Sequence, residues 1–287
     1  MSNADQEIRS GRRYAFGKNW SSFLTTLDDA RIEIAMQSLR DLLGVDTLEG
    51  RTFLDVGSGS GLFSLAARKL GADVTSFDYD NDSVACAIEL RKRYETDPAR
   101  WSIQQGSALD EPFLNSLGTF DVVYSWGVLH HTGDMWRALD LASNACRSGG
   151  LLAIALYNDQ GWRSRGWRRV KQIYCSGAAG RAAMTLAFYP YFAARTALVS
   201  LVRRQNEFAA YRRHRGMSIV HDWRDWLGGL PFEVARFDDV VSFFACRDFE
   251  LVRGTRTHRL GCHEFVFCKS PEAQRKSPTG DQSHPQG

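Results

Sequence analysis

The sequence predicts an α/β fold built on a mostly parallel sheet, and three observations carry that prediction. Between residues 51 and 157, short apolar runs of strand length alternate with stretches of helical spacing. A glycine-rich turn, Gly57-Ser58-Gly59-Ser60-Gly61, joins the first of these strands to the helix that follows it. The 287 residues are 44% hydrophobic and 24% charged. That composition leaves ample chain for a core and excludes a wholly disordered, collagen-like or coiled-coil chain.

Residues 1–13 are polar, and helical spacing begins at 28–43 (DDARIEIAMQSLRDLL), where Asp28 or Asp29 can cap the helix and Gly44 can end it. RTFLDV (51–56) reads as a buried strand, 61–70 as a helix, DVTSF (73–77) as a strand and 81–94 as a helix. WSIQQ (101–105) and FDVVYSW (120–126) are strands, 134–146 is a helix, and LLAIALY (151–157) is a strand. Such alternation implies right-handed crossovers. It stops at Asn158. Residues 160–216 read as helical with no strand, and 225–235 (DWLGGLPFEVA) as a loop punctuated by Gly228, Gly229 and Pro231. A helix at 238–246 precedes FELVRGT (249–255) and CHEFVFC (262–268), read as an antiparallel pair closing the sheet edge. From Ser270 the chain has three Pro, two Gly and no large apolar residue, which predicts a disordered tail.

The six cysteines include no C-x-x-C pair and no Cys/His grouping with zinc spacing, and Met1–Arg13 lacks an apolar stretch. The expectation is a chain with no metal, reduced thiols and a cytoplasmic location. The formal charge of +3 gives no case for a nucleic-acid binder on global charge alone.

The glycine turn carries the most specific chemistry. Its glycines run G-x-G-x-G, and the position of the third glycine in a dinucleotide fingerprint holds Leu62. Asp55, just before the turn, would repel a pyrophosphate and favour a cation. Asp78 ends the second strand, where an acid can accept both ribose hydroxyls of a nucleoside, with Asp80 as a substitute.

LDVGSGSG, FDYD, QQGSALD, FDVVYSWGVLHHTGDMWRALD and CRSGGLLAIALYN, in that order, resemble the motif set of class I S-adenosylmethionine-dependent methyltransferases over residues 50–158. The text is most similar to the ubiquinone-biosynthesis-type O-methyltransferases and their relatives. The resemblance implies a Rossmann-like, seven-stranded sheet with its last strand antiparallel, helices on both faces, and S-adenosylmethionine lying across the strand ends. It implies that Asp55, Gly57, Ser58, Gly59 and Gly61 hold the methionine part of that cofactor, and Asp78 its ribose. Gly106, Ser107 and Ala108 would line the adenine. Ser107 stands where many relatives have an acid, so a backbone N–H or water would replace that contact. Tyr79 either flanks the adenine or is a partly buried loop aromatic. Ser125, Trp126 and Gly127 would lie under the sulfonium. Tyr14 and Lys18 belong to an N-terminal segment expected to fold over the cofactor, Tyr14 toward its carboxylate end.

A hydroxyl acceptor needs a base, and two histidines are candidates. His131 follows the fourth strand beside His130. His221 sits in MSIVHD (217–222), with Asp222 or Asp225 to orient it. Residues 160–216 hold twelve Lys+Arg and one acid, a net +11, so the remaining chain carries −8. Within them, Ala182 to Val202 has a single charge, Arg195, and a central Pro190. We read this as a helical cap broken at Pro190, whose arginines meet solvent, an anionic acceptor or an anionic membrane surface. The expected organisation is an N-terminal helical segment (1–49), a cofactor domain (50–158), a basic cap and substrate loop (159–235), a helix and strand pair completing the sheet (236–269), and a tail (270–287). The expected activity is methyl transfer to a small, lipophilic, phenolic or quinol-like oxygen. Sugar, amino-acid, natural-product, RNA or protein acceptors and a non-catalytic cofactor-binding role remain alternatives.

Overall fold

The computed structural model describes residues 27–94, 97–203 and 226–271, together with Glu7, Ser10, Leu24 and Trp223. Tyr14, Lys18, His221 and most of the tail lie outside the described residues.

In chain order the elements are α1 (Asp29–Leu43), β1 (Thr52–Val56), α2 (Leu62–Lys69), β2 (Asp73–Asp78), α3 (Asn81–Tyr94), β3 (Trp101–Gln105), α4 (Glu111–Leu117), β4 (Phe120–Trp126), α5 (Met135–Asn144) and β5 (Cys146–Tyr157). They continue with α6 (Trp162–Cys175), α7 (Ala178–Arg203), α8 (Phe237–Ala245), β6 (Phe249–Thr255) and β7 (Cys262–Lys269). One sheet holds all seven strands in the order β3-β2-β1-β4-β5-β7-β6. β1 to β5 are parallel, and β7 runs antiparallel to both β5 and β6.

The expected seven-stranded α/β sheet is therefore observed. The last strand in sequence sits inside the sheet, however, and β6 forms the edge. Strand periodicity sorts neighbouring residues onto opposite faces. Phe53 joins the core under α1, α2 and α3, whereas Leu54 joins the core under α4, α5 and α8. β4 is buried from Phe120 to Ser125 because helices cover both of its faces.

Local signals explain most element boundaries. The Asp28 carboxylate accepts from the Arg31 N–H at the start of α1, and Gly44 ends that helix at φ +68°. α4 was not anticipated: seven residues are too few to show a helical period, although Asp110 caps it and Pro112 lies in its first turn. β5 begins five residues before the expected strand, at Cys146, running through Gly149 and Gly150.

The break expected at Pro190 is absent, and α7 is one helix of 26 residues with the proline inside it. Pro190 removes the N–H that would bond the Leu186 carbonyl. Both residues are exposed, so water can serve that carbonyl.

Candidate functional site

The strand order reverses between β1 and β4, and the loops leaving their C-terminal ends form the crevice where ligands of open α/β sheets bind. The β1 loop is the glycine turn. Gly57, Gly59 and Gly61 have φ of +78°, +55° and +81°, a region that a side chain makes costly. A Cβ at Gly57 would stand 2.3 Å from Val128 Cγ1, so the β4 loop packs directly on the glycine turn.

Asp78 is the hub of this crevice. Its Oδ2 accepts from Gly59 N–H at 2.9 Å, its Oδ1 from Asp80 N–H at 2.9 Å, and its carbonyl from Gly106 N–H at 3.0 Å. The neighbouring Phe77 carbonyl accepts from the N–H groups of Gly57 and Ser58. One strand end thus fixes the glycine turn and the β3 loop together.

Asp55 lies beneath the turn, 2% exposed, and accepts from Ser64 Oγ at 2.6 Å. Burial pushes its carboxyl up to about 7. The Ser64 hydrogen bond opposes that rise, and the Asp78 charge adds to it. Ser58 Oγ is buried and has no hydrogen-bond partner among the described residues. Ser125 Oγ donates to the Val56 carbonyl at 3.0 Å, bracing β4 where β1 enters the turn.

The Trp126 ring stacks on Tyr124 at 5.7 Å, on the face covered by α1. There it lines a groove of about 540 Å³ with Ser38, Leu42 and Arg253, away from the glycine turn. Gly127, at φ +76°, follows it and donates to the Ala155 carbonyl.

On the β3 side, Ser107 Oγ accepts from Leu109 N–H, and Ala108 is buried in the core beneath. Tyr79 Oη donates to Glu7 Oε2 at 3.2 Å, which ties one residue of the N-terminal segment to this side of the crevice.

The β4 loop runs through a 3₁₀ turn, Leu129–His131, in which both histidines are buried. His130 Nδ1 accepts from Tyr157 N–H, and its ring lies 3.9 Å from the Tyr157 ring. Burial holds its pKa well below the usual histidine value, and His131 and the Lys171 ammonium add to the effect, so His130 is neutral. His131 Nδ1 lies 2.6 Å from the Pro231 carbonyl. A carbonyl only accepts, so Nδ1 carries the proton and Nε2 is the basic nitrogen of the neutral ring.

Around these rings stand residues the sequence reading did not select. Tyr157 packs on Trp226 and Phe232, and Trp226 packs on Trp167 of α6. Lys171 is fully buried. Its Nζ donates to the Trp226 carbonyl and sits 4.7 Å and 4.9 Å from the Trp226 and Phe232 ring centres. Arg168, one turn away, donates to the Phe232 carbonyl. Glu233 accepts from Gly133 and Met135 N–H at the start of α5. The 226–235 loop is thereby clamped between α6 and the β4 loop. No local sequence signal marks these contacts, because Lys171 and Trp226 are 55 residues apart and His131 and Pro231 are 100 apart.

Residues 54–154 match the model of a family described as "Methyltransferase domain". That stretch is similar to this family, and its sheet order and glycine turn are those of a Rossmann-like fold. Among curated proteins, the chain is 29% identical over 119 residues to a "Ubiquinone biosynthesis O-methyltransferase" of Rhizobium leguminosarum bv. trifolii, covering 42% of this chain and 45% of that protein. It is 30% identical over 171 residues to a protein of the same name from Paramagnetospirillum magneticum, covering 60% and 61%. The matches span about half the length of these relatives. Among solved structures, the magnesium protoporphyrin IX methyltransferase of Synechocystis PCC 6803, with bound SAH, shares the fold at a TM-score of 0.50 and 12% identity, over 94% of this chain and 89% of that one.

Proposed function

We propose that the chain is an S-adenosylmethionine-dependent O-methyltransferase whose acceptor is a small lipophilic phenol or quinol. The observation that carries the acceptor assignment is the His131 ring, fixed by the Pro231 carbonyl among Tyr157, Trp226 and Phe232. It lies three residues from Val128, which packs on the glycine turn.

The crevice residues fit the cofactor. Three positive-φ glycines leave backbone open to close approach, and the buried Ser58 hydroxyl makes no bond within the described protein. Such a hydroxyl costs about 1–3 kcal/mol until a ligand's polar atom pairs with it. The buried Asp55 carboxyl has its ionised form favoured by a nearby cation, which matches a cationic sulfonium ligand. Asp78 sits at the C-terminal end of β2 with its carboxylate turned to the glycine turn, where an acid can accept from a pair of ribose hydroxyls. Gly106, Ser107 and Ala108 line the adenine, and Tyr79 closes its side with Glu7.

When bound, S-adenosylmethionine supplies a methyl group on a sulfonium that needs no further activation. The protein's part is alignment, exclusion of water and removal of one proton. The aromatic cluster excludes water. The His131 Nε2 takes the acceptor hydroxyl proton as the oxygen attacks. The Lys171 ammonium favours the oxyanion character that develops. His130 stays neutral and holds the 3₁₀ turn in place.

A panel of catechols, hydroquinols, amines and sugars incubated with methyl-labelled cofactor tests this reading. Label should enter the phenolic compounds. His131→Gln should lower kcat by about 10²-fold or more and remove the acidic limb of its pH profile. Label in amines alone, with His131→Gln at full rate, would contradict the acceptor assignment.

A further inference from the structure

The cofactor and acceptor residues leave α6 and α7 largely unexplained, and their surface is unusual in two independent ways. The first is apolarity. No residue of Ala178–Val202 is buried, and its apolar stretch reaches a mean hydropathy of 1.2. Leu186, Leu198, Leu201 and Val202 are 61–77% exposed. With Ala183, Pro190 and Ala194 they are spaced three or four residues apart as far as Leu198, which Leu201 and Val202 follow at three and four residues, so they form one outward stripe along the helix. The second is charge. Trp162–Cys175 and Ala178–Arg203 contain eight basic residues and no acid. Arg163, Arg165, Arg168, Arg169, Arg181 and Arg195 are all exposed.

We infer that α7 docks the protein on an anionic lipid surface, with the apolar stripe in the headgroup region and the arginines against the lipid phosphates. An exposed apolar stripe of this length marks an interaction site. The choice of occupant rests on charge. A symmetric contact with a second copy would set this basic, acid-free surface against itself. An anionic bilayer complements it. The helix lies in the interface and does not span the bilayer. Its inner side is held by the protein, with Trp167 packed on Phe188 and Phe192, and Trp223 packed on Tyr189 and Phe192. Spanning would strip those contacts, whereas lying flat keeps them. The inference does not depend on the acceptor assignment, since vesicle binding is read without turnover.

The test is flotation of the full chain with vesicles of phosphatidylcholine alone or mixed with phosphatidylglycerol. Binding should require phosphatidylglycerol and be reversed by high salt. Arg163→Gln, Arg165→Gln and Arg169→Gln should each weaken it about fivefold. Leu186→Glu with Leu198→Glu should weaken it about tenfold or more while the melting curve stays that of the wild type, because both positions are exposed. Failure to float with either vesicle would overturn the inference. So would equal binding to neutral vesicles that ignores the arginine changes. Retention of a single-stranded RNA in place of vesicles would overturn it in favour of nucleic acid. A self-associated protein that the two Leu→Glu changes render monomeric, without lipid binding, would overturn it in favour of a dimer.

Discussion

The buried Asp55 carboxyl costs folding stability as pH rises, and under the proposed function its charge also favours the cofactor, so replacing it separates the two effects. Its carboxyl sits at about 7 in the folded protein against 3.8 for an ordinary aspartate, chiefly because it is buried. The unfolded chain therefore releases that proton first, and the folded state loses stability as pH rises from about 4 to about 7. Each pKa unit is worth about 1.36 kcal/mol, so the full cost above pH 7 is about 4 kcal/mol. Between pH 5 and pH 8 the share still accumulating is about 3 kcal/mol. Asp55→Asn keeps an oxygen to accept from Ser64 and has no proton to lose. Urea unfolding of both proteins without cofactor, at pH 5 and pH 8, should show the variant gaining on the wild type by up to that amount. The same variant should bind S-adenosylmethionine more weakly at pH 8, because the anion that favours a cation is gone. A variant less stable than the wild type at pH 8, or a difference that does not change with pH, would refute the reasoning.

Asp78→Ala removes the bond to Gly59 and, under the proposed function, the acceptor of both ribose hydroxyls. Calorimetry should find cofactor affinity lowered about a hundredfold, with Asp78→Asn between it and the wild type. Gly57→Ala places a methyl group 2.3 Å from Val128 Cγ1 at φ +78° and should lower the melting temperature markedly. Adding Val128→Ala should restore only part of it, since the backbone strain of about 1–2 kcal/mol stays. His130 is held below its ordinary pKa, so its contribution is present above about pH 6.5 and lost as pH falls, when the unfolded chain takes up the proton. His130→Gln should flatten that acid limb in unfolding curves measured against the wild type. Equal acid sensitivity in the two proteins would exclude His130 as its source.

The sheet was legible in the sequence because its signals are local. WSIQQ, FDVVYSW and FELVRGT became strands with the expected bounds, since apolar runs between turn residues need no distant information. The glycine turn and Asp78 were legible for the same reason: positive φ restricts the residue type, and the strand end fixes where the acid sits. What could not be read was contact between distant segments. The pairing of Lys171 with the Trp226 carbonyl and ring joins a helix to a loop across a sequence gap without periodicity. The Trp126 ring was expected near the crevice, but the two-residue period of β4 sends it with Tyr124 toward α1. Pro190 lies inside a continuous helix because one missing N–H and one ring contact can be absorbed within a long helix, a balance that a lone proline in the sequence does not reveal.

The central claim is a methyltransferase crevice hung on Asp78 beside a lipophilic acceptor site. The most direct measurement is to incubate the wild type and Asp78→Ala with methyl-labelled S-adenosylmethionine and a pool of organic-soluble phenols and quinols, and to identify the labelled product by mass. Label should appear in a solvent-extractable O-methyl ether with the wild type and be little or absent with Asp78→Ala. Label confined to the aqueous phase, or equal labelling by the two proteins, would contradict it.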